Sequence, residues 1–314
     1  MNRDSVSWQG FWVATPTPFK ENGDLDLDAF RWILNNYIED GVHGLVINGT
    51  TGEWFSQTKE ERMLVAEAAV DVVKKRVPVI IGCTDYTANK VAEFAKHARS
   101  IGADGILVSA PPYSKPNDNE VYTYYEDIAS MVDIPIIVYN WPHGCSLEIG
   151  PELAERLTQI DNVVAIKDSS PNTSQIYETA KRVVDKVRVF GPYMTVEGFE
   201  KLKELHTDGY IAGGSIFGKD DPKYWESFWA KDYEFCLRHA RRLEDAFAKL
   251  WLPGGWRGYY GSYQAQIKAI MNLIGQPGGY PRKPFLPITD KNSLEALRKI
   301  LEEAGVQTVK ATLS

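Results

Sequence analysis

The sequence predicts an α/β chain folded as a (β/α)8 (TIM) barrel with a C-terminal helical extension. Three observations carry that prediction. Eight short runs rich in Val and Ile recur at a spacing of about 25–35 residues, each followed by a helix-sized segment. The runs mostly do not alternate apolar with polar residues, which is the pattern of parallel strands buried on both faces. No GxGxxG follows the first run, which passes instead into Thr15–Pro16–Thr17–Pro18, so the dinucleotide-binding open sheet lacks its mark.

The elements follow in chain order. Gly10 to Thr15 (GFWVAT) is the first strand, followed by a helix around Leu27 to Asp40. Gly44 to Asn48 precedes a helix from Thr58 to about Lys75, and Pro78 to Gly82 precedes one from Ala88 to Ile101. Gly105 to Ser109 leads to a helix from about Asn119 to Met131, and Ile134 to Tyr139 to one from Pro151 to Leu157. Val163 to Lys167 is followed by Thr173 to Val184, and Val187 to Gly191 by a short helix from Val196 to Leu205. Asp208 to Ala212 is the eighth strand. Beyond it the pattern changes. Tyr224 to Leu250 reads as one or two helices with aromatic residues at helical spacing. Ala265 to Leu273 and Leu294 to Ala304 are two more, set off by the Gly- and Pro-rich turns Pro253 to Gly261 and Gly275 to Pro287. Residues 1–225 are thus expected to form the barrel and 226–314 the helical domain.

Composition narrows the function classes. The 314 residues are 44% hydrophobic and 25% charged, ordinary for a globular protein. A net charge of −7 without a basic run argues against nucleic acid. The longest apolar runs, such as Val77 to Ile81, are strand-sized, far from the roughly 20 residues that span a bilayer. Met1 to Gln9 is polar and lacks a signal-peptide core, and three cysteines without CxxC fit a reducing cytoplasm.

In such a barrel the chemistry sits at the carboxyl ends of the strands, and three ends stand out. The sixth strand ends in Lys167 after Val163–Val164–Ala165–Ile166. If Val163, Ala165 and Lys167 face inward, the amine enters the barrel mouth, where desolvation lowers its pKa and frees a nucleophile for carbonyl carbon. The alternative is a solvated lysine paired with Asp168. The fifth strand ends in Tyr139, one strand spacing (about 4.8 Å) away. It is either a proton relay beside the amine or an aromatic that closes the core. The second strand runs into Asn48–Gly49–Thr50–Thr51–Gly52–Glu53. That is either a nest for a small carboxylate or an ordinary glycine turn. Together, anion nest, lysine and tyrosine would bind an α-keto acid and form a Schiff base with it.

These residues resemble a known family. ThrProPhe at 17–19, GlyThrThrGlyGlu at 49–53, ProProTyr at 111–113, ValTyrAsn at 138–140 and IleLysAsp at 166–168 are similar to the motifs of the pyruvate-dependent Schiff-base aldolases that include dihydrodipicolinate synthase and N-acetylneuraminate lyase. The resemblance covers about residues 10 to 290. It implies a homotetramer (a dimer of dimers) acting on a small 2-keto acid, while charge, apolar run length and cysteine usage are what predict the cytoplasm and no nucleic-acid or membrane partner. It also implies no cofactor beyond the covalent lysine imine. Lys167 matches the Schiff-base lysine and Tyr139 the proton-shuttling tyrosine. Thr50 and Thr51 match the carboxylate-holding pair, Thr51 also joining the relay. Tyr113 matches the catalytic tyrosine that reaches a neighbouring subunit's site to extend the relay. Gly191 and Ile211, placed at the ends of the seventh and eighth strands, match backbone positions lining the pyruvate pocket.

One departure stands out. Dihydrodipicolinate synthases carry an arginine shortly after TyrAsn, whereas here the stretch is Trp141–Pro142–His143–Gly144–Cys145. Trp54 and Trp141 either wall a specificity pocket or pack the barrel top. The five histidines show no HxH or HExxH, so no metal is expected. Gly213 to Gly218 reads as a helix start rather than a phosphate loop, and Cys83 as a buried thiol. The expected activity is a lyase, aldolase or dehydratase, on pyruvate or a 4-hydroxy-2-keto acid. The alternatives are dihydrodipicolinate synthase proper or a catalytically silent keto-acid-binding barrel.

Overall fold

Eight parallel strands close on themselves in chain order: β1 (Gly10–Ala14), β2 (Gly44–Ile47), β3 (Val79–Gly82), β4 (Gly105–Ser109), β5 (Ile136–Asn140), β6 (Val163–Asp168), β7 (Arg188–Phe190) and β8 (Gly209–Gly213). β8 pairs back on β1, Gly10 opposite Gly209 and Ala14 opposite Gly213. This (β/α)8 barrel is the computed structural model of the chain, which describes residues 1–309. Positions 310–314 of the expected helical extension lie outside the described residues.

Around the barrel lie α1 (Leu27–Glu39), α2 (Lys59–Val73), α3 (Ala88–Ser100), α4 (Asp118–Met131), the one-turn α5 (Pro142–Cys145), α6 (Pro151–Leu157), α7 (Thr173–Val183), α8 (Val196–Leu205) and α9 (Asp220–Trp229). The extension follows as α10 (Tyr233–Leu250), α11 (Tyr263–Leu273) and α12 (Lys291–Glu303). α9, which packs on β1, runs across the 225/226 boundary.

Capping residues set the helix starts where apolar periodicity was silent. Ser262 accepts from the Ala265 N–H and starts α11 two residues before the expected Ala265. Asp290 does the same for α12, three residues ahead of Leu294. The 224–250 stretch is two helices. Lys231 has φ 63°, and Asp232 then caps α10 by accepting from Phe235 N–H. β5 begins after Pro135, which has no N–H to give a ladder.

One expectation about side-chain direction is corrected. Val163 points into the outer layer, among the helices, and not inward. The β5–β6 register skips from Ile136↔Val163 to Ile137↔Ala165. This bulge puts Val164 and Ala165 in the interior cluster and restores the inward direction at Lys167.

The core has two layers. The larger packs strands against helices. The smaller fills the barrel with Trp8, Trp12, Ile80, Leu107, Ile137, Phe190 and Ile211. Trp12 and Phe190 meet edge to face at 5.3 Å, and Gly44 leaves the space that Trp12 fills. Below them Arg3 and Arg188 both pair with Asp208, at 2.7 and 2.8 Å. The N-terminal segment is thereby tied across the barrel floor, at the face opposite the site.

Candidate active site

Tyr139 and Lys167 stand directly opposite one another in the β5–β6 ladder. The Lys167 amine sits 4.1 Å from the centroid of the Tyr139 ring. Lys167 is only 8% exposed, and burial alone pushes its amine down from 10.5 to about 7. The alternative of a lysine paired with Asp168 does not hold. Asp168 points the other way, accepting from Asn140 Nδ2 at 2.9 Å and from Ser170 N–H at 3.0 Å. Its carboxyl is itself raised to about 6 by burial, the hydrogen bonds opposing. Among the described residues no ion pair reaches Lys167. Neighbours in sequence, the two groups share no charge because successive strand residues face opposite sides.

Burial also raises the Tyr139 phenol well above its ordinary value, while the hydroxyls of Ser169 and Thr50 favour the ionised form. At neutral pH the phenol holds its proton and can donate it.

The loop after β2 turns sharply between Asn48 and Glu53, both left-handed at φ 55° and 57°. Asn48 Nδ2 donates to the Arg62 carbonyl on α2 at 2.8 Å. Gly52 and Glu53 donate back to Gly49 and Thr50. Among the described residues, the N–H groups of Thr50 and Thr51 donate to no other group of the chain. Two adjacent unengaged N–H groups at a strand end have the arrangement an anion nest requires. Gly82 lets the loop lie there: a methyl at 82 would overlap the Asn48 carbonyl.

Tyr139 and Thr50 wall a cavity of about 200 Å³ with Trp54, Phe55, Thr84, Ser109 and Trp141. Trp141 stacks on Tyr139 at 6.0 Å and 17°. It also walls a second cleft of about 450 Å³ with Phe55, Trp256, Arg257, Tyr263 and Phe285. Trp54 and Trp141 are therefore pocket walls. Another cleft, about 580 Å³ between α10 and α12, does not touch the strand ends.

Other expected residues fall elsewhere. β8 runs to Gly213, so Ile211 lies mid-strand in the interior cluster instead of at a strand end. Gly191 follows the end of β7, donating to the Gly209 carbonyl at 3.0 Å. Tyr113 is 91% exposed at φ 70° and is not brought to Lys167 within the chain. Cys83 lies in the outer core, its thiol pushed up to about 12 by burial. The Gly213–Gly218 turn is filled by Asp221, which accepts from Ser215 Oγ at 2.9 Å and Phe217 N–H at 3.3 Å. An anion is thus opposed there.

Two residues of the extension were missed. Gln264 Nε2 donates to the Thr50 carbonyl at 3.1 Å. Lys268, 1% exposed, pairs with the fully buried Glu53 and donates to the Tyr280 carbonyl at 2.8 Å. A lysine within the apolar run Ala265–Leu273 was the available signal. No helix among the described residues is long and apolar enough to cross a membrane.

Comparison with known proteins gives the family. A model of the dihydrodipicolinate synthetase family matches residues 7–304. The 4-hydroxy-tetrahydrodipicolinate synthase of Syntrophus aciditrophicus is 41% identical over 306 residues, covering 95% of this chain and 99% of that protein. The same enzyme of Syntrophobacter fumaroxidans is 33% identical over 303 residues, with equal coverage. The prophage protein YagE of Escherichia coli, solved with pyruvate, matches with a TM-score of 0.87 at 25% identity, over 96% of this chain and 100% of that one. The chain belongs to the dihydrodipicolinate synthetase family.

Proposed function

We propose that this chain is a lyase of the class I aldolase type that acts on a 2-keto acid, pyruvate or a 4-hydroxy-2-keto acid, through a Schiff base on Lys167. The observation that carries the reading is a buried lysine amine, without a counter-ion among the described residues, over the ring of a tyrosine that walls a cavity. An amine lowered to about 7 is largely free near neutral pH and attacks ketone carbon.

The steps follow from the groups present. The N–H groups of Thr50 and Thr51 hold the carboxylate. Lys167 Nζ adds to the ketone carbon and forms the C–N bond, its proton moving to oxygen. Tyr139 donates a second proton to the carbinolamine oxygen, which leaves as water. The resulting iminium draws in the electron pair of a C3–C4 or C3–H bond. In the first case the Tyr139 phenolate takes the proton of the 4-hydroxyl as an aldehyde departs and an enamine remains. In the second the phenolate takes the C3 proton, and the enamine either expels the 4-hydroxyl as water with that proton returned by Tyr139, or attacks an aldehyde whose oxygen receives it. The imine nitrogen is the electron sink, so the reading calls on no cofactor and no metal. Gly191 and Ile211 support the pyruvate pocket from beneath. Residues 1–225 carry the amine and the phenol, and the helical part that follows lends Gln264 and Arg257 to the site. The working form is a cytoplasmic homotetramer in which Tyr113, held outward by its backbone, meets a neighbouring subunit.

A second reading, dihydrodipicolinate synthase proper, is favoured by the names of the relatives and by Arg257. That guanidinium lies in the wall of the outer cleft, where it can receive a carboxylate in place of the arginine absent from 141–145.

Borohydride reduction in the presence of pyruvate, read by intact mass and peptide mapping, tests the main reading. Wild type gains one reduced pyruvate on Lys167, and Lys167→Ala gains none. An adduct that persists at the site in the Ala variant overturns the assignment. Absence of any adduct in the wild type favours a silent binding barrel.

A further inference from the structure

The strand ends that carry the amine and the phenol are joined a second time, on the outer face of the barrel. The β5–β6 ladder closes with the pair Asn140↔Asp168, one residue beyond Tyr139↔Lys167. Successive strand residues face opposite sides, so this pair points away from the barrel mouth, and both side chains are buried. Asn140 Nδ2 donates to Asp168 Oδ1 at 2.9 Å. The Asn140 amide also engages both backbone groups of Ile149, accepting from the N–H at 3.0 Å and donating to the carbonyl at 3.3 Å. Residues 141–148, with Trp141 stacked on Tyr139, thus form a loop shut at its base. The end of β6 grips the same loop. Ser169 N–H donates to the Asn140 carbonyl at 3.0 Å, Ser170 Oγ donates to Glu148, and Ser170 N–H donates to Asp168 Oδ1 at 3.0 Å. The second Asp168 oxygen is buried without a hydrogen-bond partner among the described residues. Leaving a carboxylate oxygen so costs stability, and a cost of that kind in a native core calls for a functional reason.

We propose that Asp168 is a positioning residue: through Asn140 it fixes the end of β5, and with it the Tyr139 phenol, against the Lys167 amine. This rests on the Schiff-base reading above. The need arises from the bulge lower in the same ladder. There the register skips a residue between Ile136↔Val163 and Ile137↔Ala165, so the pairing below the bulge does not dictate the pairing above it. A slip by one residue at the top would turn Lys167 to the outer face and Asp168 to the mouth. The Asn140–Asp168 hydrogen bond forms only in the observed register. Its contribution is geometric and not electrostatic, because the carboxylate faces away from the amine. A displacement of about 1 Å between reacting groups can cost about a hundredfold in rate. The N–H groups of Thr50 and Thr51 lie on the loop after β2, so pyruvate binding does not pass through this clasp.

The test uses pyruvate alone, so it does not depend on the second substrate. Exchange of pyruvate methyl protons for deuterium, followed by proton NMR in D2O, reads proton transfer between C3 and Tyr139. Borohydride trapping reads imine formation. Asp168→Ala removes the acceptor: exchange at saturation should fall at least about tenfold, while KM for pyruvate and the end-point of trapping are retained. Asp168→Asn keeps an oxygen for Asn140 and Ser170 and discards the charge, and should exchange within about threefold of wild type. Asp168→Glu keeps the charge and moves the oxygens by a methylene, and should lose exchange as Asp168→Ala does. It carries the test if the Ala variant does not fold. In an Asn140→Ala background, Asp168→Ala should cost nothing further, because Asp168 then has nothing to act through. A further loss there overturns the proposal. So does exchange by Asp168→Ala and Asp168→Glu within about threefold of wild type, short of a positioning contribution. Exchange kept by Asp168→Glu and lost by Asp168→Asn also overturns it, assigning the effect to charge. A raised KM with saturated exchange unchanged does the same, placing Asp168 in support of binding. If wild type forms no reducible adduct, it is the Schiff-base reading itself that has failed, and the two failures are distinguished.

Discussion

At the scale of the residue, the lysine at the barrel mouth is in tension with the fold that holds it. An amine at about 7 when folded and 10.5 when unfolded binds fewer protons in the native state between those values. Folded stability therefore rises with pH from about 7 to 10.5, and the penalty for burying the amine is present in full below that window. Lys167→Met should unfold at higher denaturant than wild type at pH 7, and the gap should close as pH approaches 10.5. Over the same range the rate of wild-type trapping by pyruvate should climb through about pH 7, because only the free amine attacks. Urea titrations at several pH values and a trapping profile check both, and a gap that does not change with pH would refute the desolvated amine. Lys167 and Tyr139 were legible in the sequence because strand-end position is a local property. Gln264 was not: its place at the Thr50 carbonyl depends on α11 packing back on the loop after β2.

At the scale of the element, the turn after β2 has its shape fixed from three sides. α2 receives the Asn48 side chain, and β3 offers Gly82 as open space. α11 supplies Gln264 to the Thr50 carbonyl and Lys268 to Glu53. The Lys268–Glu53 pair is buried on both sides, so removing one partner strands a charge. Lys268→Met should cost about 3–5 kcal/mol of stability and loosen the threonine nest, raising KM for pyruvate more than it lowers kcat. Converting Glu53 to Met in addition should recover part of the lost stability, because it removes the stranded charge while the Tyr280 carbonyl and the Arg282 N–H still lose their partners. Denaturant unfolding of the three variants measures this. A loss below about 1 kcal/mol for Lys268→Met, typical of exposed pairs, would show that water reaches the pair. Strands could be read from their Val and Ile content because both faces are buried. The β6 bulge could not, since it depends on how Val163 and Ala165 pair with β5. The helix starts at Tyr263 and Lys291 depended on single capping side chains outside the apolar pattern.

At the scale of the whole molecule, the site is a joint product of barrel and extension, and its outer half decides the substrate. The barrel supplies the amine, the phenol and the anion nest. The loop between α10 and α11 supplies Trp256 and Arg257 to the cleft. His143 on α5 bridges the two parts, its ring 5.4 Å from Trp141 and 6.0 Å from Trp256. The wall after β5 is therefore aromatic where dihydrodipicolinate synthases are expected to carry a guanidinium. A carboxylate bound there without a partner costs about 1–3 kcal/mol or more, roughly tenfold or more in affinity against a neutral or hydroxylated substrate. Trp141 offers instead a flat apolar face and an indole N–H, suited to hydroxyl or aromatic character. Condensation of pyruvate with aspartate semialdehyde should accordingly be weak, and 4-hydroxy- or 4-substituted 2-keto acids should turn over faster. A coupled synthase assay run beside a panel of sugar-derived and aromatic 2-keto acids measures the ratio. If the semialdehyde condenses with kcat/KM above about 10⁴ M⁻¹s⁻¹, the specificity argument fails and Arg257 becomes the carboxylate's partner. Arg257→Ala would then raise KM for the semialdehyde and leave pyruvate trapping by Lys167 intact, since the two halves of the site are built by different parts of the chain.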